Sequence, residues 1–138
     1  MNGWEAMRSE GRSYLSIVSK SSGSKKFSAT LLYNFAAMAI EKYVMATCMF
    51  NDLLPENHTL TDLLSALPDS IRVPSAVCST LLAGEDVQQL CSLDAYKRTE
   101  PSAEELDEFI TAALALCLIL ENSLPVPQTQ TMATALNA

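Results

Sequence analysis

KKFSATLLYNFAAMAIEKYVMATCMFN, Lys25–Asn51, is the stretch that decides the fold. Leu32, Phe35, Ala39, Tyr43, Ala46 and Phe50 recur at three- and four-residue steps, the spacing that puts side chains on one face of an α-helix. Tyr33, Met38, Met45 and Met49 carry apolar surface onto the other faces, and between Leu31 and Phe50 the only charges are Glu41 and Lys42. A helix this apolar is wrapped by its neighbours, or shares one face with its own core and another with a partner. The protein is therefore expected to be all-α.

A second long apolar helix is written near the carboxyl end. Ser102-Ala103-Glu104-Glu105 after Pro101 has the form of a capping box, and Leu106, Phe109, Ile110, Ala113, Leu114, Cys117 and Leu120 follow at helical spacing. Lys25–Asn51 and Ala103–Asn122 are the two segments long and apolar enough to cover each other, and we expect them adjacent and antiparallel at the core. Around them, Asn2–Ser19 reads as a helix with a stripe of Trp4, Met7, Leu15 and Val18, weakened by Gly11. Lys20–Ser24 is a connection, and Ser24 can cap the helix that follows. Thr59 with Asp62 opens a short helix that Pro68 stops. A further helix starts at Pro74 and is expected to close at Gly84, with Asp86–Leu93 a separate short helix or turn. Residues 124–138 carry two prolines and no charge and read as a disordered tail. The architecture implied is one domain over residues 1–123, an antiparallel up-and-down bundle of four to six helices.

Composition narrows the function. A chain of 138 residues buries one sizeable core without staples. The formal charge of −7 argues against nucleic acid as a partner, since phosphate contacts need clustered Lys and Arg. Residues 1–42 nevertheless hold six basic side chains, Arg8, Arg12, Lys20, Lys25, Lys26 and Lys42, against three acidic ones, a mildly basic patch on an acidic body. Cys48, Cys78, Cys91 and Cys117 include no Cys-x-x-Cys pair and the chain has one histidine, so neither a zinc site nor a redox pair is expected. Free thiols, no export signal and no apolar run of roughly 20 residues point to a cytoplasmic protein without membrane association.

Catalytic chemistry has little to work with. His58 is the sole candidate for a histidine base, and an enzyme reading would pair it with one of the thiols. Glu-x-x-His repeats, a phosphate-cradling Gly-x-x-x-x-Gly-Lys loop and Gly-x-Gly-x-x-Gly are all absent, and no cofactor or metal is expected. Glu104, Glu105, Asp107 and Glu108 are explained by the positive end of their helix. Tyr96-Lys97-Arg98 sets an aromatic face beside two cations, a group suited to a base or a phosphate.

Ala36-Ala37-Met38-Ala39-Ile40-Glu41-Lys42-Tyr43 followed by His58-Thr59-Leu60-Thr61-Asp62-Leu63-Leu64 resembles the HEPN domain (higher eukaryotes and prokaryotes nucleotide-binding), in which an alanine-rich helix with a Glu-Lys pair precedes a His-x-Leu-x-x-Leu segment. Leu93–Arg98, then Pro101 and an apolar helix, is similar to the family's last third. The likeness spans roughly residues 5–123 and implies a helical bundle, commonly a homodimer, that accompanies a small nucleotidyltransferase as partner or binds a nucleotide. It singles out Glu41, Lys42, His58, Tyr96, Lys97 and Arg98 as candidate ligand or partner positions. Active members carry Arg-x(4–6)-His for metal-independent RNA cleavage, whereas none of Arg8, Arg12, Arg72 and Arg98 has a histidine at that distance. The expectation is a non-catalytic dimeric binding module; the alternatives are a degenerate ribonuclease or other enzyme using His58, and an unrelated helical adaptor.

Overall fold

The computed structural model describes residues 3–21, 26–93 and 101–126, with the backbone alone given for 85–93. Among the described residues the chain forms five helices and no strand: α1 (Trp4–Ser21), α2 (Ala29–Phe50), α3 (Leu60–Ala66), α4 (Ser75–Leu93) and α5 (Ala103–Ser123). No described helix is long and apolar enough to cross a membrane.

The caps follow local chemistry. Ser102 and Glu105 close both halves of the capping box on α5, and Thr59 Oγ1 accepts the Asp62 amide at the start of α3. The cap of α2 is Ser28, whose hydroxyl accepts the Leu31 amide, and not Ser24, which lies outside the described residues. Extended backbone at Ser28 starts the helix one turn later than a cap at Ser24 would.

Consecutive long helices alternate in direction. Trp4 meets Phe50 with ring centroids 5.1 Å apart, and Tyr14 meets Phe35 at 6.0 Å, so α1 and α2 are antiparallel. Between α4 and α5, Gly84 lies against Phe109, while Ala76 shares a groove with Thr111 and Ala115 further along, again antiparallel. The pair expected to be antiparallel is not. Tyr33 stacks on Phe109 at 4.0 Å and 18°, and Tyr43 bonds to Glu121 at 3.1 Å, so α2 and α5 ascend together. The returning helix α4 intervenes in the chain, and two reversals restore the direction of α2.

The core gathers Ile40, Tyr43 and Val44 from α2, Leu63 from α3, Leu81 from α4, and Phe109, Leu116 and Leu120 from α5. Each fully buried Leu or Phe contributes roughly 2 kcal/mol against leaving it in water. Packing runs beyond residue 123, for Leu124 is buried, while residues 127–138, read as a tail, lie outside the described residues. Tyr33, expected to need a partner's cover, is buried within one chain; Met38, Met45 and Met49 are half-buried. Its neighbouring helices wrap α2 more fully than its circumference of apolar residues suggests.

Two glycines read from sequence as weak points are close-approach points. A Cβ on Gly11 would stand 2.8 Å from the Tyr43 ring, so the missing side chain lets α1 settle onto α2. Gly84 was expected to end a helix, but α4 runs through it to Leu93, and a Cβ there would overlap the Tyr33 hydroxyl and the Phe109 ring. The stretch Asp86–Leu93, expected as a separate short element, is the continuation of α4.

Candidate functional site

Of the six candidate positions, the fold brings two together. Glu41, half-buried on α2, accepts a contact from His58 Nδ1 at 2.6 Å, and His58 sits exposed in the turn just before α3. A carboxylate only accepts, so Nδ1 is the donor. Lys42 points elsewhere, one residue on and about 100° round the helix, where its Nζ reaches Glu10 of α1 at 3.0 Å. That hydrogen bond raises the Lys42 pKa above its ordinary value. Tyr96, Lys97 and Arg98 lie outside the described residues.

A second polar group escaped the sequence reading. Glu121, in the last turn of α5, accepts from Arg12 Nε at 2.6 Å and from the Tyr43 hydroxyl at 3.1 Å, with Arg8 Nη1 at 3.8 Å. Arg8 is almost wholly buried; it donates to the Pro125 carbonyl and lies 4.7 Å over the Trp4 ring. Burial works to raise the Glu121 carboxyl, but the bonds from Arg12 and Tyr43 outweigh it and hold its pKa below the ordinary carboxylate value. Tyr43 moves the opposite way, pushed up by burial and by the neighbouring Glu121 charge. The group ties α1, α2, α5 and the segment after α5 at one point. A signal for it existed, since a carboxylate at the negative end of a helix is disfavoured unless cations face it. Arg8 and Arg12, four residues apart on one helical face, are those cations.

The thiols of Cys48 and Cys117 are placed for packing. Cys48, Cys78 and Cys117 are free, and the side chain of Cys91 lies outside the described residues. Cys48 donates weakly to the Ala66 carbonyl, and burial pushes its pKa up; burial and the charge of Glu121 push Cys117 up to about 12. Neither is a thiolate at neutral pH, which is the form a nucleophile needs. A cleft of about 320 Å³ opens beside Tyr33, Thr80, Glu105, Glu108 and Phe109; the Glu105 carboxylate accepts from the Ser102 amide, and the Ser102 hydroxyl accepts from the Glu105 amide. Among the described residues, then, Glu41 is committed to His58, Lys42 to Glu10, and Arg8 and Arg12 to Glu121. Comparison of the chain with protein-family models, with curated proteins and with solved structures found no match.

Proposed function

We propose that this chain is a non-catalytic, HEPN-like helical module that dimerises and binds a partner protein, of which a small nucleotidyltransferase is the kind the resemblance implies, or a nucleotide. The observation that carries the reading is the 2.6 Å contact of Glu41 with His58, because it joins two of the three separate stretches on which the resemblance rests. Between the ligand classes, a protein is better supported. A nucleotide's phosphates need available cations, and on the α1–α2 face Glu10 and Glu121 already engage Lys42, Arg8 and Arg12.

Non-catalytic behaviour is supported by the lack of a histidine four to seven residues after any arginine and by the burial that keeps the Cys48 and Cys117 thiols protonated. A dimer of this chain would draw less on the methionines of α2 than on Leu118, 61% exposed on α5. The tests are direct. Light scattering at micromolar concentration is expected to give about twice the chain mass, and Leu118→Glu to move it towards monomer. Purified protein is expected to leave RNA intact, and cleavage that survives purification and vanishes in His58→Ala would replace this reading by the ribonuclease one. Saturable binding of ATP, sought by calorimetry, would move the ligand from protein to nucleotide.

A further inference from the structure

At the end of the bundle where α2 stops and α1 begins, apolar side chains stand in water. Phe50 is 40% exposed, Leu53 39% and Leu54 76%, and Trp4 packs edge-on against Phe50. A cluster of this kind on a small protein marks a contact surface more often than isolated exposed leucines do. Its charge is one-sided. From Phe50 to Asp62 the chain carries Asp52, Glu56 and Asp62 and no lysine or arginine, and Glu5 adjoins Trp4. Arg8, the cation over the Trp4 ring, is buried and held by Glu121 and Pro125.

The turn itself carries a residue that local stability disfavours. Asp52 adopts φ 56°, the left-handed position after a helix that glycine usually fills. The Asp52 amide donates to the Met49 carbonyl and the Leu53 amide to that of Cys48, the paired bonds of a Schellman ending. Asp52 thus bears the steric penalty of a positive φ and also places a negative charge at the negative pole of α2. Residues that break local rules concentrate where a contact outside the fold uses them.

We propose that Trp4, Phe50, Leu53 and Leu54, with the acidic rim of Glu5, Asp52 and Glu56, form the docking surface for a basic amphipathic helix of a partner protein. Apolar anchors on that helix cover the leucines and the aromatic pair, and its lysines or arginines meet the rim. A second copy of the chain fits poorly, because a two-fold contact would set acidic rim against acidic rim. An anionic membrane surface is repelled for the same reason. This rests on the binding-module reading for the nature of the partner, and assigns the contact to residues other than Leu118, Glu41 and His58.

Trp4 is the chain's single tryptophan and reports on the site directly. The probes are a helical peptide of about 18 leucines and lysines in amphipathic order, long enough to fold on contact, its leucine–glutamate counterpart, and phosphatidylglycerol vesicles. The lysine peptide is expected to shift Trp4 emission saturably and the other two to leave it unchanged. Leu54→Ser, exposed and tolerated by the fold, is expected to weaken the peptide by about tenfold, the scale of losing one apolar anchor. Asp52→Lys combined with Glu56→Lys is expected to reverse the preference between the two peptides. Asp52→Gly is expected to raise the melting temperature while weakening the peptide, a combination that a purely structural Asp52 would not produce. The proposal is overturned if Leu54→Ser binds as well as the parent chain, if vesicles alone move Trp4, or if Asp52→Gly lowers the melting temperature. A peptide that binds a chain shown to be monomeric would refute the dimer and leave this surface standing; a dimer blind to the peptide would do the reverse.

Discussion

Glu41 and Glu121 each take a contact of 2.6 Å, the first from an imidazole and the second from a guanidinium, and their side chains are about equally exposed, 27% and 24%. Their partners differ. Around Glu121 stand Arg8 at 5% exposure and the buried Tyr43, on helices α1 and α2, so three helices meet at one carboxylate. The cation in contact with Glu41 is His58, 57% exposed and carried by a turn. Distance alone does not rank the two. What ranks them is how much cation would be left dry and unpaired if the carboxylate were removed, since an exposed partner falls back on water and a buried one cannot.

The sharpest way to break the comparison is to delete the Glu121 carboxylate and the His58 imidazole in turn. Glu121→Ala leaves Arg8 buried beside Arg12 with the Pro125 carbonyl and the Trp4 face as its remaining compensation, and is expected to cost about 3 kcal/mol in urea unfolding. Because the folded pKa of Glu121 is depressed, its contribution is fully present above the unfolded value near 4.5 and is lost as pH falls through the folded value. Acid titration of stability is therefore expected to show a loss beginning below about pH 4.5, smaller than the full mutational effect and reduced in Glu121→Gln. His58→Ala is expected to change stability by less than about 0.5 kcal/mol, as for other exposed pairs. A larger cost at His58 than at Glu121 would invert the ranking and show that the turn before α3 is tied down through Glu41.

Much of this molecule is legible in one dimension. The apolar step of three and four over Leu32 to Phe50, the capping box at Ser102–Glu105 and the Thr59 cap all act within a turn or two of their own residues, which is why the helices lie close to where the pattern puts them. The candidate site was legible only in part. Glu41 and His58 were singled out separately, and nothing in their spacing of 17 residues says that they touch. The Glu121 cluster joins residues up to 117 positions apart, and from sequence Arg8 and Arg12 read only as members of a mildly basic amino-terminal patch.

Gly11 and Gly84 show where the boundary falls. By local propensity both weaken or end a helix, and the chain alone supports that reading. Tertiary packing reverses it, because the absence of a Cβ at each lets Tyr43, Tyr33 and Phe109 occupy the space between helices. The direction of α2 relative to α5 is of the same kind. Periodicity specifies which face of a helix is apolar but is unchanged when the helix is turned end for end, so that choice falls to the connections and to pairs such as Tyr33 with Phe109 and Tyr43 with Glu121. Helix content, caps and apolar faces were thus settled by interactions spanning a few residues, while helix direction, close approach and the worth of each charge depended on neighbours that the fold alone brings near.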